Sequence, residues 1–570
     1  MSAAASPQPA PQQIVLVGLS GSGKSSTARV LAERLGWQLI DTDDEITKRG
    51  KTPAELIVDR GEPAFREIEA SIIEEASKQI PAVIATGGGA FGDAHSRRRL
   101  GERGYICFLD ATPPELARRI RQSSDGVERP MLGEDLEARL YELDRERRPY
   151  YNHADLWMPV QVPTAADEAP GEATAPRILR AWAEEGSEAL RQDQRLERLG
   201  TDAPARVPAA IIDTGEQRTP IWVGPGELNR LAERLAQLKL NGTVFLISDA
   251  DVMEAHGERV AGVLQEAGIA GASYVVPGGE ASKSLRVASE LYGWLSEQRA
   301  ERGDTVVALG GGVVGDLAGY VAATYLRGMP FVQLPTSVLA MNDAAIGGKA
   351  AVDLPAGKNL VGAFHQPRAV LADIETLATM PHRALLEGFA EVIKHALILD
   401  PELLALLEQH AGELTSTDPD PDLLTQVTAR SVRLKALVVS SDPQEQGLRA
   451  TLNYGHTIGH AIEAITGYRE YLHGEAVSIG MMGAARISER MGLISEEIVA
   501  RQADLLRAFG LPLQASGLSA QAVMDAMLLD KKVQRGRPRF ILLQSIGRAV
   551  VSDQMEERIV EEAVRGLVSP

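Results

Sequence analysis

Two groups of residues in this chain have the types and spacing for chemistry. Gly18-Leu-Ser-Gly-Ser-Gly-Lys-Ser25 has the form G-x-x-x-x-G-K-S. In such a loop the backbone N–H groups of Gly21, Ser22, Gly23, Lys24, Ser25 and Ser26 wrap an anionic phosphate. Lys24 reaches the β- and γ-phosphates and the Ser25 hydroxyl ligates Mg²⁺. Far downstream, Glu391 and Lys394 fall in one helical stretch, His456 and His460 stand four residues apart, and His473 precedes Gly-Glu. Glutamate and histidine ligands around an open position suit a catalytic Zn²⁺. Spacing alone assigns both His456 and His460 to that metal, and a pair of solvated helix histidines is the plain alternative. No single small site needs both groups, so the expectation is two enzymes joined end to end.

These residues need scaffolds. At 570 residues the chain is long enough for several domains. A formal net charge of −19 argues against a general nucleic-acid or membrane-surface binder, although local Lys and Arg clusters can still hold anionic small molecules. One cysteine, Cys107, excludes a disulfide framework and leaves any metal to His and carboxylates. Residues 1–12 read as a disordered Ala/Pro/Gln-rich tail, and with no signal-like or membrane-spanning run the expectation is a cytoplasmic enzyme.

From Ile14 onward, short apolar runs alternate with helical periodicity, the pattern of a parallel α/β sheet, with strands at Ile14–Val17, Val83–Thr86 and Tyr105–Leu109. An amphipathic helix carries Ile178, Leu179 and Trp182. Residues 186–205 are charged with no apolar face worth burying and read as a linker between a domain at 13–185 and a second start at 206. Ala209–Asp213 and Pro220–Val223 read as paired strands, and Thr243–Ser248 and Thr305–Leu309 as parallel strands of a nucleotide-binding half (206–375). The remainder (376–570) reads as mostly helical. Asp418–Asp422 is a solvated turn rather than a calcium site.

Around the phosphate loop, Asp41-Thr-Asp43 ends a strand near the phosphates. One carboxylate can organise Mg²⁺ water and the other can take a hydroxyl proton, with helix capping as the plain alternative. Gly87-Gly-Gly89 allows close backbone approach to a small polar ligand, or is simply a tight turn, and Arg66 can face the same cleft. Together with Phe65-Arg66, Arg129-Pro130 and Arg147-Arg-Pro-Tyr-Tyr151, these motifs over residues 12–185 resemble shikimate kinase. The resemblance implies that Asp43, Arg66, Gly88, Gly89 and Arg147 hold shikimate. It also implies that Arg129, in a lid at Ser123–Gly133, closes on the transferring phosphoryl group, and that Arg118 lies near adenine. Arg148 stands next to Arg147, so the contact could fall on either. A kinase for another small molecule, such as gluconate, is the alternative.

In the second half, Gly310-Gly-Gly-Val-Val-Gly315-Asp316 follows a strand and suits a pyrophosphate; Asp249 ends another strand where a ribose could sit, and Pro277-Gly-Gly-Glu280-Ala-Ser-Lys283 adds a glycine turn with a charge pair. Further motifs are Tyr325-Leu-Arg327-Gly, Leu334-Pro-Thr336-Ser337, Asp343 with Gly347-Gly-Lys349, Gly357-Lys358-Asn359-Leu, Arg449 to His460, His473-Gly-Glu and Asp530-Lys-Lys532. Together they resemble 3-dehydroquinate synthase over residues 206–565. By that resemblance the zinc (or cobalt) ligands become Glu391, His456 and His473. NAD⁺ falls to Asp249, Glu280, Lys283, Gly312, Val313, Gly315, Asp316, Thr336, Ser337, Lys349 and Lys358. The substrate falls to Arg327 (from a neighbouring subunit of a homodimer), Asp343, Lys349, Lys358, Asn359, Lys394, Lys435, Arg449, Asn453, His460 and Lys531 or Lys532. Within these sets the catalytic work goes to Lys24, Asp43 and Arg129 in the first half and to Asp343, Lys349, Lys394 and His460 in the second. Two departures are Ser337 where the family usually has Thr, and Gly278 where it often has Asp after Pro.

The fold class expected is therefore α/β: a P-loop kinase domain with a parallel sheet, then a dehydroquinate-synthase-like domain with a Rossmann-like half and a helical half. The expected function is bifunctional: ATP/Mg²⁺-dependent phosphorylation of shikimate, and NAD⁺- and Zn²⁺-dependent cyclisation of a heptulosonate phosphate. The rivals are a metal-dependent polyol dehydrogenase in the second half, and a silent docking module in either half; the intact Lys24, Asp43, Glu391 and His456 stand against the latter.

Overall fold

A computed structural model of the chain describes residues 13–122, 135–160, 171–189, 195–199, 208–445, 447–528, 539–553 and 555–569. The chain divides into two compact units, Met1–Val207 and Pro208–Pro570. The tail at 1–12, the lid at 123–133 with Arg129, and Lys531 and Lys532 lie outside the described residues.

The first unit is built on five parallel strands in the spatial order Gln38–Asp41, Ala82–Ala85, Gln13–Val17, Gly104–Asp110, Leu156–Pro159. Gln13–Val17 and Gly104–Asp110 are buried throughout, as strands covered on both faces must be, which explains their unbroken apolar runs. Ile14, Leu16, Tyr105, Cys107 and Leu109 pack against Ala28 and Leu31 of helix Lys24–Leu35 and Ile178 of helix Ala175–Ala189. The parallel arrangement puts the C-terminal ends of Gln13–Val17, Gln38–Asp41 and Ala82–Ala85 side by side. The phosphate loop, Asp41-Thr-Asp43 and Gly87-Gly-Gly89 therefore open on one edge of the sheet.

The structure corrects the expected linker. Helix Ala175–Ala189 continues past residue 185, and Arg195–Leu199 forms a further short helix with Arg195 and Leu199 buried. A charged stretch looked unable to bury a face because its burial works through a guanidinium. Arg195 donates to both Asp155 oxygens (2.7 and 2.5 Å) and to the carbonyls of Gly101 and Gly104.

The second unit opens on a seven-stranded sheet, ordered Ala210–Asp213, Arg218–Gly224, Ala369–Asp373, Phe331–Pro335, Thr305–Gly310, Val244–Asp249, Gly271–Val276. The first pair is antiparallel and the rest are parallel. Alternate residues of the central strands feed two cores. Val306 and Ala308 join Phe245, Ile247 and Leu317 on one face, while Val307 and Leu309 join Leu246, Leu334 and Leu371 on the other. A hairpin, Lys349–Leu354 with Gly357–Phe364, stands apart from this sheet. The rest is a helical core formed by His382–Leu399, Pro401–Leu414, Pro421–Ser441, His456–Ile465, His473–Arg490 and later helices, with the small hairpin Phe540–Ser552. In the Asp418–Asp422 turn, Asp420 caps the helix that starts at Pro421. Among the described residues, no helix is long and apolar enough to cross a membrane.

Candidate functional site

In the first unit the backbone of Gly23 is left-handed (φ 88°) at the N-cap of helix Lys24–Leu35, a conformation that favours glycine. It turns the loop so that the helix N-terminus faces the phosphate position. Lys24 Nζ donates to the carbonyls of Gly18 and Leu19, both at 2.9 Å. Ser25 Oγ donates to Asp41 Oδ2 at 2.6 Å, and Asp41 also caps the helix Thr42–Lys48 through the Asp43 N–H. Asp41 thus both caps this helix and accepts from the Ser25 hydroxyl. Ser22 and Ser26 belong to the same loop and first turn.

Asp43 opens toward water yet is hemmed in by the cleft walls. That protein mass and the neighbouring Asp41 push its carboxyl up to about 6, against the pull of Lys24. Gly87–Gly89 brings the backbone against the acceptor side. A Cβ at Gly87 would stand 2.5 Å from Glu69 Oε1 and 2.9 Å from Asp43 Oδ1, and one at Gly89 would run into the Arg66 guanidinium. Arg147 Nη1 lies beside Gly88. Arg148 is committed elsewhere: it pairs with Asp110 (2.8 Å) and Asp144 (2.7 Å) and lies over the rings of Phe108 and Trp157. Of the two arginines, it is Arg147 that lies beside Gly88.

Sequence reasoning missed Glu69. It is buried, holds Arg66 Nη1 at 2.6 Å, and its other oxygen has no hydrogen-bond partner. Burial raises its carboxyl, with Arg66 opposing. Its signal in the sequence was the three-residue spacing from Arg66 on one helix. Arg118 pairs with Glu115 (2.8 Å) on helix Pro113–Gln122, whose Ile120 lies beside Gly21.

In the second unit the strand Thr305–Gly310 feeds helix Gly312–Thr324, so Gly312, Val313, Gly315 and Asp316 form its first turns. Lys283 pairs with Asp316 at 2.5 Å, and burial pushes Asp316 up to about 6 despite that lysine. Lys358 reaches Glu280 (3.4 Å) and the Tyr468 ring, and Asp249 caps the short helix at its strand end. Thr336 and Ser337 follow strand Phe331–Pro335, where the Ser337 hydroxyl accepts from the Ala340 N–H. Asn359 lies in the hairpin with its N–H on Asp353.

The segment Ala340–Ala344 is a π-turn, a widened helical turn that aims Asp343 inward. Lys435 Nζ sits 2.5 Å from Asp343 Oδ1, and Lys394 Nζ 4.0 Å. Burial opposes the charge of Asp343, but the two lysines hold it well below the usual carboxylate range. Burial in turn pulls Lys435 down to about 8. Lys394 also pairs with Glu391 on its own helix. Arg449 donates to the carbonyls of Pro443 and Gly347.

Glu391, His456 and His473 offer ligand atoms within 4.8 Å of one another. Glu391 Oε1 lies 3.6 Å from His456 Nε2 and 3.7 Å from His473 Nε2, buried and without a hydrogen-bond partner. The far ring nitrogens are held by other groups, His456 Nδ1 by the Tyr454 carbonyl (3.2 Å) and His473 Nδ1 by Glu463 (3.3 Å). That is how metal-binding imidazoles are oriented. Burial opposes a charge on His473, yet Glu391 and Glu463 raise it to about 10, so this site attracts positive charge. The donor set fits a divalent zinc-type ion. A second cluster, Asp343, Glu391 and His395, shares Glu391 but is already neutralised by Lys394 and Lys435. His460 packs against His456 and His473 without joining the ligand set, so the ligands deduced from four-residue spacing are corrected. Arg327 lies in the turn Tyr325–Arg327, apart from these contacts. The residue missed here is Glu445, which joins two expected substrate groups by pairing with Lys349 and accepting from Asn453 Nδ2 at 2.9 Å.

The geometry defines a P-loop phosphotransferase cleft in one unit and a Glu-His-His metal site ringed by lysines and arginine in the other. Residues 20–179 match the family model for shikimate kinase, residues 273–387 that for the 3-dehydroquinate synthase N-terminal region, and residues 388–533 that for its C-terminal region. A 3-dehydroquinate synthase from Nostoc punctiforme is 46% identical over 357 residues, 62% of this chain and 98% of that protein. The solved 2-epi-5-epi-valiolone synthase from Streptomyces hygroscopicus, with NAD⁺ and Zn²⁺ bound, is 30% identical with TM-score 0.57, over 61% of this chain and 96% of that one. A solved 2-deoxy-scyllo-inosose synthase with carbaglucose-6-phosphate, NAD⁺ and Co²⁺ is 28% identical with TM-score 0.57, over 62% and 99%. The chain belongs to the 3-dehydroquinate synthase family and carries a shikimate kinase domain ahead of it, two enzymes in one polypeptide.

Proposed function

We propose that the first unit transfers the γ-phosphoryl group of ATP to shikimate and that the second converts 3-deoxy-arabino-heptulosonate 7-phosphate to 3-dehydroquinate with release of phosphate. The observation that carries the reading is the company kept by the metal triad. Lys394 pairs with Glu391 of the triad and shares Asp343 with Lys435, and Arg449 lies near Lys435, cations that a phosphorylated keto acid needs and a neutral polyol does not. The polyol dehydrogenase alternative is not favoured.

In the kinase unit Lys24 and the loop amides hold the nucleotide phosphates, Ser25 and Asp41 serve Mg²⁺, and Asp43 takes the proton of the attacking hydroxyl. Arg66 and Arg147 flank Gly88 and Gly89 and hold the acceptor, while Arg118 and Arg129 serve the nucleotide side. In the synthase unit Glu391, His456 and His473 would hold Zn²⁺ or Co²⁺, as the relatives' bound ions support. Asp249, Glu280, Lys283, the Gly312–Asp316 turn, Thr336, Ser337 and Lys358 would line NAD⁺. When bound, the metal supplies Lewis acidity at a ring hydroxyl and the dinucleotide a reversible hydride acceptor. The chain's own residues do the rest. Lys349, Arg449, Asn359, Asn453 and Lys532 orient carboxylate and phosphate. Asp343, Lys394, Lys435 and His460 hold protons near the reacting carbons, and Glu445 ties Lys349 to Asn453.

The reading includes a cytoplasmic homodimer through the second unit. Leu326 and Arg327 sit at positive φ in an exposed turn, which supports Arg327 being offered to a neighbour. The domain division follows the corrected boundary: a kinase domain through residue 199, then 208–375 and 376–570.

The test follows phosphate and NADH together in protein supplied with the heptulosonate phosphate, catalytic NAD⁺ and Zn²⁺. The expected result is phosphate in excess of NAD⁺ with no NADH accumulating; NADH building up on polyols would defeat the synthase reading. Shikimate-dependent ADP formation checks the kinase.

A further inference from the structure

Arg97 is a fully buried guanidinium on helix Ala94–Gly101. Its Nη1 donates to the carbonyls of Phe91 (3.0 Å) and Gly92 (2.8 Å), and its Nε donates to the carbonyl of Leu199 (3.0 Å). Phe91 and Gly92 close the turn that begins at Gly87. The Gly92 N–H donates to the Gly89 carbonyl, and Gly88 accepts from Tyr151 Oη at 2.5 Å. Arg97 also lies over the ring of Tyr150, two residues past Arg148 on the helix that carries Arg147. One side chain therefore touches both walls of the acceptor side and the segment beyond the kinase sheet.

That segment is firmly seated. The Arg195 bonds to Asp155, Gly101 and Gly104 fix its start. Asp155 in turn accepts from the Ile106 N–H of the neighbouring strand Gly104–Asp110 (2.9 Å). Leu199, fully buried, presses on Gly101 so closely that a Cβ there would collide with it. A buried guanidinium needs its acceptors, and the seat of the Leu199 side chain against Gly101 is what holds the Leu199 carbonyl on Arg97, so shortening that side chain loosens the acceptor without removing it.

We propose that Arg195–Leu199 is a clasp that, through Arg97, positions the Gly87–Gly92 turn for the phosphoryl acceptor. Arg97, Arg195 and Leu199 are positioning residues, since they act through the turn. The proposal rests on the reading that this turn binds shikimate. It predicts that loosening the clasp weakens acceptor binding and leaves the nucleotide loop, which belongs to another strand end, alone.

The experiment compares Leu199→Ala, Leu199→Val, Leu199→Met and Arg195→Gln in the full chain. It measures KM for shikimate, KM for ATP, kcat, and synthase turnover as an internal check on the protein. Leu199→Ala and Arg195→Gln should raise the shikimate KM about tenfold with the ATP KM within about twofold, Leu199→Val by less, and Leu199→Met should restore it. Should the alanine variant lose the kinase fold, the graded valine and methionine pair carries the test. Unchanged shikimate KM in all folded variants, or shikimate and ATP KM rising together, would overturn the clasp. A wild-type chain that turns over no shikimate would defeat the acceptor reading itself, and the clasp with it.

Discussion

Two aspartates stand in the candidate sites of this molecule, and their surroundings drive them apart. Burial first and then Asp41, with Glu69 adding to them and Lys24 as the one opposing cation, hold the Asp43 proton up to about 6. Asp343 is deeper but stands between Lys435 and Lys394, which keep it ionised well below the usual range. The kinase cleft offers backbone amides at a helix N-terminus and leaves a carboxylate poised to titrate. The synthase unit instead buries two lysines, Lys394 and Lys435, each held by a carboxylate. Burial alone does not set the sign of a shift; the charge of the nearest neighbours does.

The largest effect should come from the metal corner. Glu391→Gln leaves Lys394 without its carboxylate and the histidines without theirs, and should cut synthase turnover by about 10³-fold or more while kinase activity stays within about twofold. Assaying both reactions on one sample, with metal content, checks it. A parallel fall in kinase activity would break the separation of the two sites. Asp43→Asn should lower kinase kcat by about 10²–10³-fold with the synthase untouched, read by ADP release.

Glu463→Gln removes the carboxylate behind His473 and should weaken metal retention by about 10–100-fold, seen by competition with a chelator. Smaller still is the pH signature. Because the Asp43 carboxyl lies above its ordinary range, it is protonated and idle below about 6. The kinase kcat/KM should therefore fall about tenfold per pH unit below that point and level off above it. The same sign means that deprotonating Asp43 weakens the folded kinase unit as pH rises from the ordinary carboxylate range to about 6. Asp41→Asn should move the break downward. A synthase profile with the same break would undo the contrast between the two aspartates.

Much of this was legible along the chain because it is local. Gly18–Ser25 states its chemistry by spacing, and buried strands such as Gln13–Val17 and Thr305–Gly310 announce themselves by unbroken apolar runs between turns. The metal ligands were legible only through family likeness. Four-residue spacing made His456 and His460 neighbours, but the third and first ligands, His473 and Glu391, come from other helices, and only helix packing selects among them. Glu445 was missed for the same reason, since its partner Lys349 is far away in sequence, whereas Glu69 stands three residues from Arg66 on one helix, a spacing that was legible but went unread.

The amino-acid sequence by itself determined that there are two catalytic units, which strands and helices carry them, and which phosphate loop begins the first. Tertiary structure alone decided that Arg148 is spent on Asp110 and Asp144 while Arg147 lies beside Gly88. It alone decided that Arg195–Leu199 belongs to the kinase rather than to a linker. Hydrophobic periodicity registers apolar faces, whereas a guanidinium is buried by carbonyls and carboxylates that only the folded chain brings to it.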